Sequence, residues 1–207
     1  MLIKINDKNL SEVLERAVEI LNNGGIVAFP TETFYGLGVK FDKEASLRKL
    51  YELKKRTKEK PMPLIIGDRE SLSRIAASVN ETAESLMDKF WPGPLTLLLK
   101  AKSDLSSYLT ANTGRIAVRI PGESAALHLV REAGFPITAT SANLSGMPPA
   151  DDADAIIRYF GEEIDIVIDG GRTAGGLPST IVDVTEKSIR IVREGAIPRS
   201  VLEKHLL

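Results

Sequence analysis

Apolar residues recur along this chain in two alternating rhythms. Leu10, Val13, Leu14, Ala17, Val18 and Leu21 fall three or four apart, on one face of a helix, and Gly24-Gly25 stops it. Ile26-Val27-Ala28-Phe29 follows without a polar interruption, the pattern of a buried strand. A short strand over residues 2–5 precedes the helix, and more strands are expected over 63–66, 95–99, 116–120, 137–140, 164–168, 180–184 and 189–193. Helical patterns predict helices over 70–77, 81–90, 125–133, 152–160 and 199–205. Asp42 is placed to cap another that carries Leu47, Leu50 and Tyr51 on one face. This alternation, without repeats, low-complexity tracts or a long linker, predicts a single α/β domain over residues 1–207. The late strands follow one another closely, with Gly170-Gly171 and Gly175-Gly176 between them. Antiparallel pairing is expected there, and hence a mixed sheet.

What the apolar pattern leaves out is polar and concentrated. The strand at 26–29 runs into Pro30-Thr31-Glu32-Thr33-Phe34-Tyr35-Gly36-Leu37-Gly38. A proline and two glycines read as a break in regular structure, and polar groups at the carboxyl end of a buried strand are where α/β proteins hold ligands. A plain tight turn fits these nine residues equally well. Glu32 is the loop's candidate general base. Thr138-Ala139-Thr140-Ser141-Ala142-Asn143-Leu144-Ser145-Gly146 is a second such loop; Ser141 and Asn143, two apart, share a side of an extended segment. The same residues could equally cap a helix or make a turn.

Charge adds a third feature. With 27 Lys and Arg against 28 Asp and Glu the formal net charge is -1, which argues against a strongly electrostatic nucleic-acid binder. Yet five cations crowd into Lys54-Lys55-Arg56-Thr57-Lys58-Glu59-Lys60. This run reads either as a solvated helix end complementing the helix dipole or as a clamp for a polyphosphate or carboxylate. Arg115 and Arg119 lie four apart on one expected strand, hence on one face, and Arg193 ends the last strand. No cysteine is present, which excludes disulfides and a cysteine nucleophile; His128 and His205 read as surface or packed residues, and no metal site is expected. The chemistry therefore falls to Lys, Arg, Ser, Thr and Asn. Gly171 and Gly176 have P-loop spacing, but Leu177-Pro178 stand where its Lys and Ser/Thr belong. With no long apolar run and no leader-like N-terminus, a soluble cytoplasmic protein without membrane partners is expected.

Eight segments in register carry a resemblance. Besides residues 30–38 and the Lys54-x-Arg56 pair, they are Phe90-Trp91-Pro92-Gly93-Pro94-Leu95-Thr96, Ile116-Ala117-Val118-Arg119-Ile120-Pro121 and Ser141-Ala142-Asn143-Leu144-Ser145-Gly146. The others are Asp169-Gly170-Gly171-Arg172, Ser179-Thr180-Ile181-Val182-Asp183 and Arg193-Glu194-Gly195-Ala196-Ile197. Over nearly its whole length the chain resembles the YrdC-like threonylcarbamoyl-AMP synthases. The resemblance implies a twisted mixed α/β sheet with flanking helices around an open basic cavity. It implies condensation of L-threonine, bicarbonate and ATP, with Mg²⁺ on the leaving pyrophosphate. The product would pass to a tRNA threonylcarbamoyl transferase complex.

The family's paired motifs fall on Lys54, Arg56, Ser141 and Asn143 as catalytic residues. ATP contacts map to Arg56, Lys60, Arg115, Ser141 and Arg193, and threonine contacts to Thr33, Arg119 and Ser179. Thr57, Ile65 and Pro178 depart from the family, which often has Pro, His and an acidic residue there. The chain, ending at Leu207, is expected to be the short form without the extra domain of larger members. An RNA-binding module of the same fold, using residues 54–60 on tRNA or rRNA, is the alternative.

Overall fold

The computed structural model describes residues 1–57, 59–186 and 188–205; Lys58 of the basic run lies outside them. The apolar stripe at 10–21 forms α1 (Leu10–Asn22), burying Val13, Leu14, Ala17 and Leu21. Gly24, at φ +86°, reverses the chain in a conformation that favours glycine. The Asp165 carboxylate then accepts the Ile26 amide at 2.7 Å, and β2 (Val27–Pro30) begins, every residue of it buried.

The strands divide into two sheets where one was expected. In the first, β1 (Leu2–Lys4), β10 (Ile166–Asp169), β2, β3 (Tyr35–Gly38) and β9 (Thr140–Ser141) lie in that order. β10 runs parallel to both its neighbours, while β2–β3 and β3–β9 are antiparallel. The second sheet runs β12 (Arg190–Arg193), β11 (Thr180–Asp183), β6 (Leu95–Ala101), β7 (Arg115–Arg119), β4 (Leu64–Ile65) and β8 (Ile137–Thr138). β5 (Ala76–Ser78) pairs with the far end of β6. β11 is antiparallel to β12 but parallel to β6. Both sheets are thus mixed, as predicted; of the late strands β11 and β12 pair antiparallel in succession as expected, while β10 belongs to the other sheet.

Four local differences have physical causes. The strand expected over 137–140 is split: Thr138 pairs with Leu64 in the second sheet, and Thr140 with Leu37 in the first. Ala139 makes the step, its amide held by the Pro63 carbonyl at 2.8 Å. Half of the polar loop at 30–38 is strand, for β3 pairs residue by residue with β2 from Val27↔Gly38 to Pro30↔Tyr35. Residues 70–77 make only a 3₁₀ turn (Glu70–Arg74), since the Ile75 carbonyl accepts the Lys102 amide and draws the chain onto β6. Asp42 does not cap α2 (Glu44–Leu53), whose N-cap is Lys43.

α1 and α5 (Ala125–Ala133) cover one face of the first sheet, packing Leu14, Leu21 and Leu129 against Val27, Phe29 and Ile168. The larger core joins α2, α3 (Glu81–Phe90) and α6 (Ala153–Phe160) to both sheets, packing Leu50, Leu86 and Ile156 with Leu37 and Val167 of the first and Leu97 and Val118 of the second. α3 and α6 are capped by Asn80 and Asp152, whose side chains accept the Ala83 and Ala155 amides at 2.8 Å. The short helices α4 (Ser107–Thr110) and α7 (Arg199–Glu203) complete the chain; α7 stops short of the expected residue 205. Among the described residues no helix is long and apolar enough to cross a membrane.

Candidate active site

A cavity of about 350 Å³ opens between the two sheets. Strand alternation builds its floor. Thr96 and Leu98 on β6, Ala117 and Arg119 on β7, and Ile181 on β11 all face it, while the residues between them point into the core. Thr96 stands beside Ile181, and Leu98 beside Ala117, in the sheet register. Tyr35, Gly36, Thr140 and Ser141 of the first sheet form the opposite wall. Its size lies within the usual range for small-molecule sites.

Polar groups converge on it from both sides. The Thr31 hydroxyl accepts the Thr33 amide at 3.1 Å and donates to the Phe34 carbonyl at 2.7 Å, which folds the turn at the mouth of the β2–β3 hairpin. This turn brings the Thr33 side chain to the cavity, 3.1 Å from the Thr31 hydroxyl. Ser179 shares a hydrogen bond of 2.9 Å with Thr96. Arg193 donates to the Ser179 carbonyl at 2.6 Å and to its hydroxyl at 3.2 Å. Partial desolvation, and next the neighbouring Arg119 guanidinium, lower the proton affinity of Arg193 from its ordinary value. Arg56 is braced by the Lys60 carbonyl at 3.1 Å and the Pro61 carbonyl at 2.8 Å, with Tyr51 beneath it. Three arginines therefore line the cavity and, among the described residues, no carboxylate does.

Six of the sequence candidates line the cavity: Thr33, Arg56, Arg119, Ser141, Ser179 and Arg193. Four do not. Lys54 is 1% exposed; its ammonium donates to the Ser141 carbonyl, to the Asn143 carbonyl at 2.6 Å and to Asn143 Oδ1 at 3.2 Å. Asn143 Oδ1 also accepts the Ser141 hydroxyl at 2.7 Å, so Lys54 and Asn143 stand behind Ser141. Arg115 pairs with Asp183 at 2.9 Å, farther along the sheet face. Lys60 is exposed on the outer turn. The two histidines are remote: His128 pairs with Glu123 at 2.7 Å, and the His205 ring meets Phe90 edge-on.

Glu32 is not a free base, since its Oε1 accepts a hydrogen bond from Arg119 Nη1. Gly36 and Gly38 leave room for the Phe29 ring: a Cβ on Gly38 would lie 2.7 Å from it and 2.6 Å from Ile137. Their role is packing between strands. Thr31, Thr96 and Thr140 line the cavity without having been singled out from sequence. For Thr96 the available signal was its period-two relation to Leu98. Among the described residues no three His, Cys, Asp or Glu gather as a metal site would require.

Comparison with known proteins gives a consistent picture. Residues 19–195 match the profile of the Sua5/YciO/YrdC family, described as "Telomere recombination". The chain is 35% identical over 204 residues to a threonylcarbamoyl-AMP synthase of Pyrococcus abyssi, and 37% identical over 202 residues to one of Bacillus subtilis. These matches cover 99% and 97% of this chain but only 60% and 57% of those relatives. The fold is similar to P. abyssi Sua5 complexed with L-threonine, with TM-score 0.95 and 35% identity over 100% of this chain and 61% of that one. It is also similar to E. coli YciO, with TM-score 0.83 and 27% identity over 95% of each.

Proposed function

Because the chain belongs to the Sua5/YciO/YrdC family, we propose that it condenses L-threonine, bicarbonate and ATP into threonylcarbamoyl-AMP, releasing pyrophosphate and water. The observation that carries this reading is the convergence of Arg56, Arg119 and Arg193 with the Thr33, Ser141 and Ser179 hydroxyls on one cavity. Such a site suits two anionic substrates. A carboxylate is held by a guanidinium fork, and a polyphosphate by several separated cations.

Arg119, Thr33 and Ser179 take threonine, and Arg56, Arg193 and Ser141 take the nucleotide. Magnesium enters as part of the MgATP substrate, carried on its phosphates. The threonine amine gains a carboxylate from bicarbonate, and that carboxylate attacks the α-phosphorus while the bond to pyrophosphate breaks. Nucleophile and target are both negative. The arginines lower this repulsion and hold attack in line, which is electrostatic and orientational catalysis rather than general-base catalysis. Lys54 and Asn143 fix the backbone on which Ser141 stands. A cytoplasmic setting and a tRNA threonylcarbamoyl transferase that takes up the adenylate complete the proposal.

The test is incubation with MgATP, bicarbonate and L-threonine, following pyrophosphate and the threonylcarbamoyl adenylate. Pyrophosphate release should require all three substrates. Arg56→Ala should lower it by about 10²–10³ with the fold intact. Release independent of threonine or bicarbonate, or no release, overturns the proposal.

A further inference from the structure

The proposed chemistry leaves Glu32 without work, yet its placement is specific. It packs against the turn after β7, where a Cβ on Gly122 would lie only 3.3 Å from its Cγ. Its Oε1 takes one donor of Arg119, Nη1, and among the described residues the Arg119 guanidinium has no other hydrogen-bond partner. The pair is largely buried, the Arg119 and Glu32 side chains being 10% and 18% exposed. Glu32 Oε2 is buried with no partner at all. A second guanidinium, that of Arg193, stands close enough for its proton affinity to be lowered by Arg119.

Two neighbouring arginines with no carboxylate between them would both attract phosphate. Glu32 makes them unlike. It occupies one end of the Arg119 fork, leaving the other end for a ligand, and adds a negative charge behind Arg119 but not behind Arg193. A singly charged carboxylate tolerates that neighbour better than a phosphate dianion does.

We propose that Glu32 is a positioning and specificity residue that holds Arg119 by one donor and reserves it for a carboxylate, leaving phosphate to Arg193. This rests on the assignment of threonine to Arg119.

Binding of L-threonine and of MgATP, each measured by calorimetry, tests it. Glu32→Ala, which frees Arg119, should raise the threonine Kd at least tenfold and leave the MgATP Kd within twofold. Glu32→Gln keeps the acceptor but not the charge. It should hold threonine nearly as well as the parent, while inorganic phosphate becomes at least tenfold more effective as a competitor against threonine. Unchanged threonine affinity in Glu32→Ala, or unchanged phosphate competition in Glu32→Gln, overturns the proposal; if Glu32→Ala does not fold, the phosphate competition in Glu32→Gln decides alone. Arg119→Gln separates the premise from the inference. If it leaves threonine affinity intact, the assignment of Arg119 fails; if it abolishes threonine binding and the Glu32 variants have no effect, only the inference fails.

Discussion

Lys54 and Arg56 stand two residues apart in the same basic run, but they do opposite things. Lys55 between them adopts φ 50°, in the left-handed region that is rare outside glycine, and the chain turns there. Lys54 ends up buried against three oxygens of residues 141 and 143, while Arg56 reaches the cavity. Charge alone made both candidates for a phosphate clamp; no propensity marks Lys55 for its turn, so the division was not legible in the sequence. Arg119 and Arg193 were legible because each ends a strand whose apolar pattern sets its direction, whereas Ser179 was reached only through the family resemblance. The burial of Lys54, and secondarily the Arg56 charge, pull its proton affinity from the ordinary 10.5 down to about 7. Below pH 7 the folded and unfolded chains both hold this proton, and the native state bears the full penalty. Between pH 7 and 10.5 only the unfolded chain keeps it, so this contribution to stability rises with pH. The stability difference between the parent and Lys54→Met should therefore increase by up to about 1.4 kcal/mol per pH unit across that window. Urea denaturation at pH 7, 8 and 9 measures it, and a flat difference contradicts the assignment.

At the level of elements, the segment after β12 is stitched to the entry of β11. The Thr180 hydroxyl donates to the Ile197 carbonyl at 2.7 Å and accepts the Gly195 and Ile197 amides at 2.9 and 3.0 Å. The Ala196 amide reaches the Pro178 carbonyl at 2.8 Å. Gly195 has to be glycine here, because a Cβ would lie 2.1 Å from the Pro178 carbonyl oxygen and 2.8 Å from that of Ser179. Both are backbone atoms and cannot turn aside. Gly195→Ala should cost about 1–3 kcal/mol in urea denaturation and also lower affinity for both substrates, because Ser179 and Arg193 move together. Loss of stability with unchanged affinities would show that the stitch does not position the site. The buried strands at 26–29, 95–99 and 116–120 were legible, since long apolar runs leave little choice. The hairpin partner β3 was not, because Gly36 and Gly38 disguise a strand as a turn; their missing side chains make room for Phe29, a contact only the folded chain reveals.

On the scale of the whole molecule, the α/β class and the mixed pairing could be read from the pattern of elements, but the division into two sheets could not. That division depends on the single-residue step at Ala139, and hydrophobic periodicity does not report where one strand changes partners. Because the cavity walls come from both sheets, a bound substrate ties them together. Threonine or MgATP at 100 times its Kd should stabilise the fold by about 2.7 kcal/mol, raising the melting midpoint by roughly 5–10 °C in one cooperative transition. Two separate transitions, or no shift, would contradict a site shared between the sheets.

The placement of β10 between β1 and β2 has a further consequence, for the nascent chain. β1 ends at Lys4, yet its partner, β10, begins at Ile166. At cellular rates of synthesis that interval is on the order of ten seconds or more. Until it ends, the buried edge of β2 that β10 will occupy stays unpaired. The first sheet therefore closes only once Ile166–Asp169 has been made, after every other strand of that sheet.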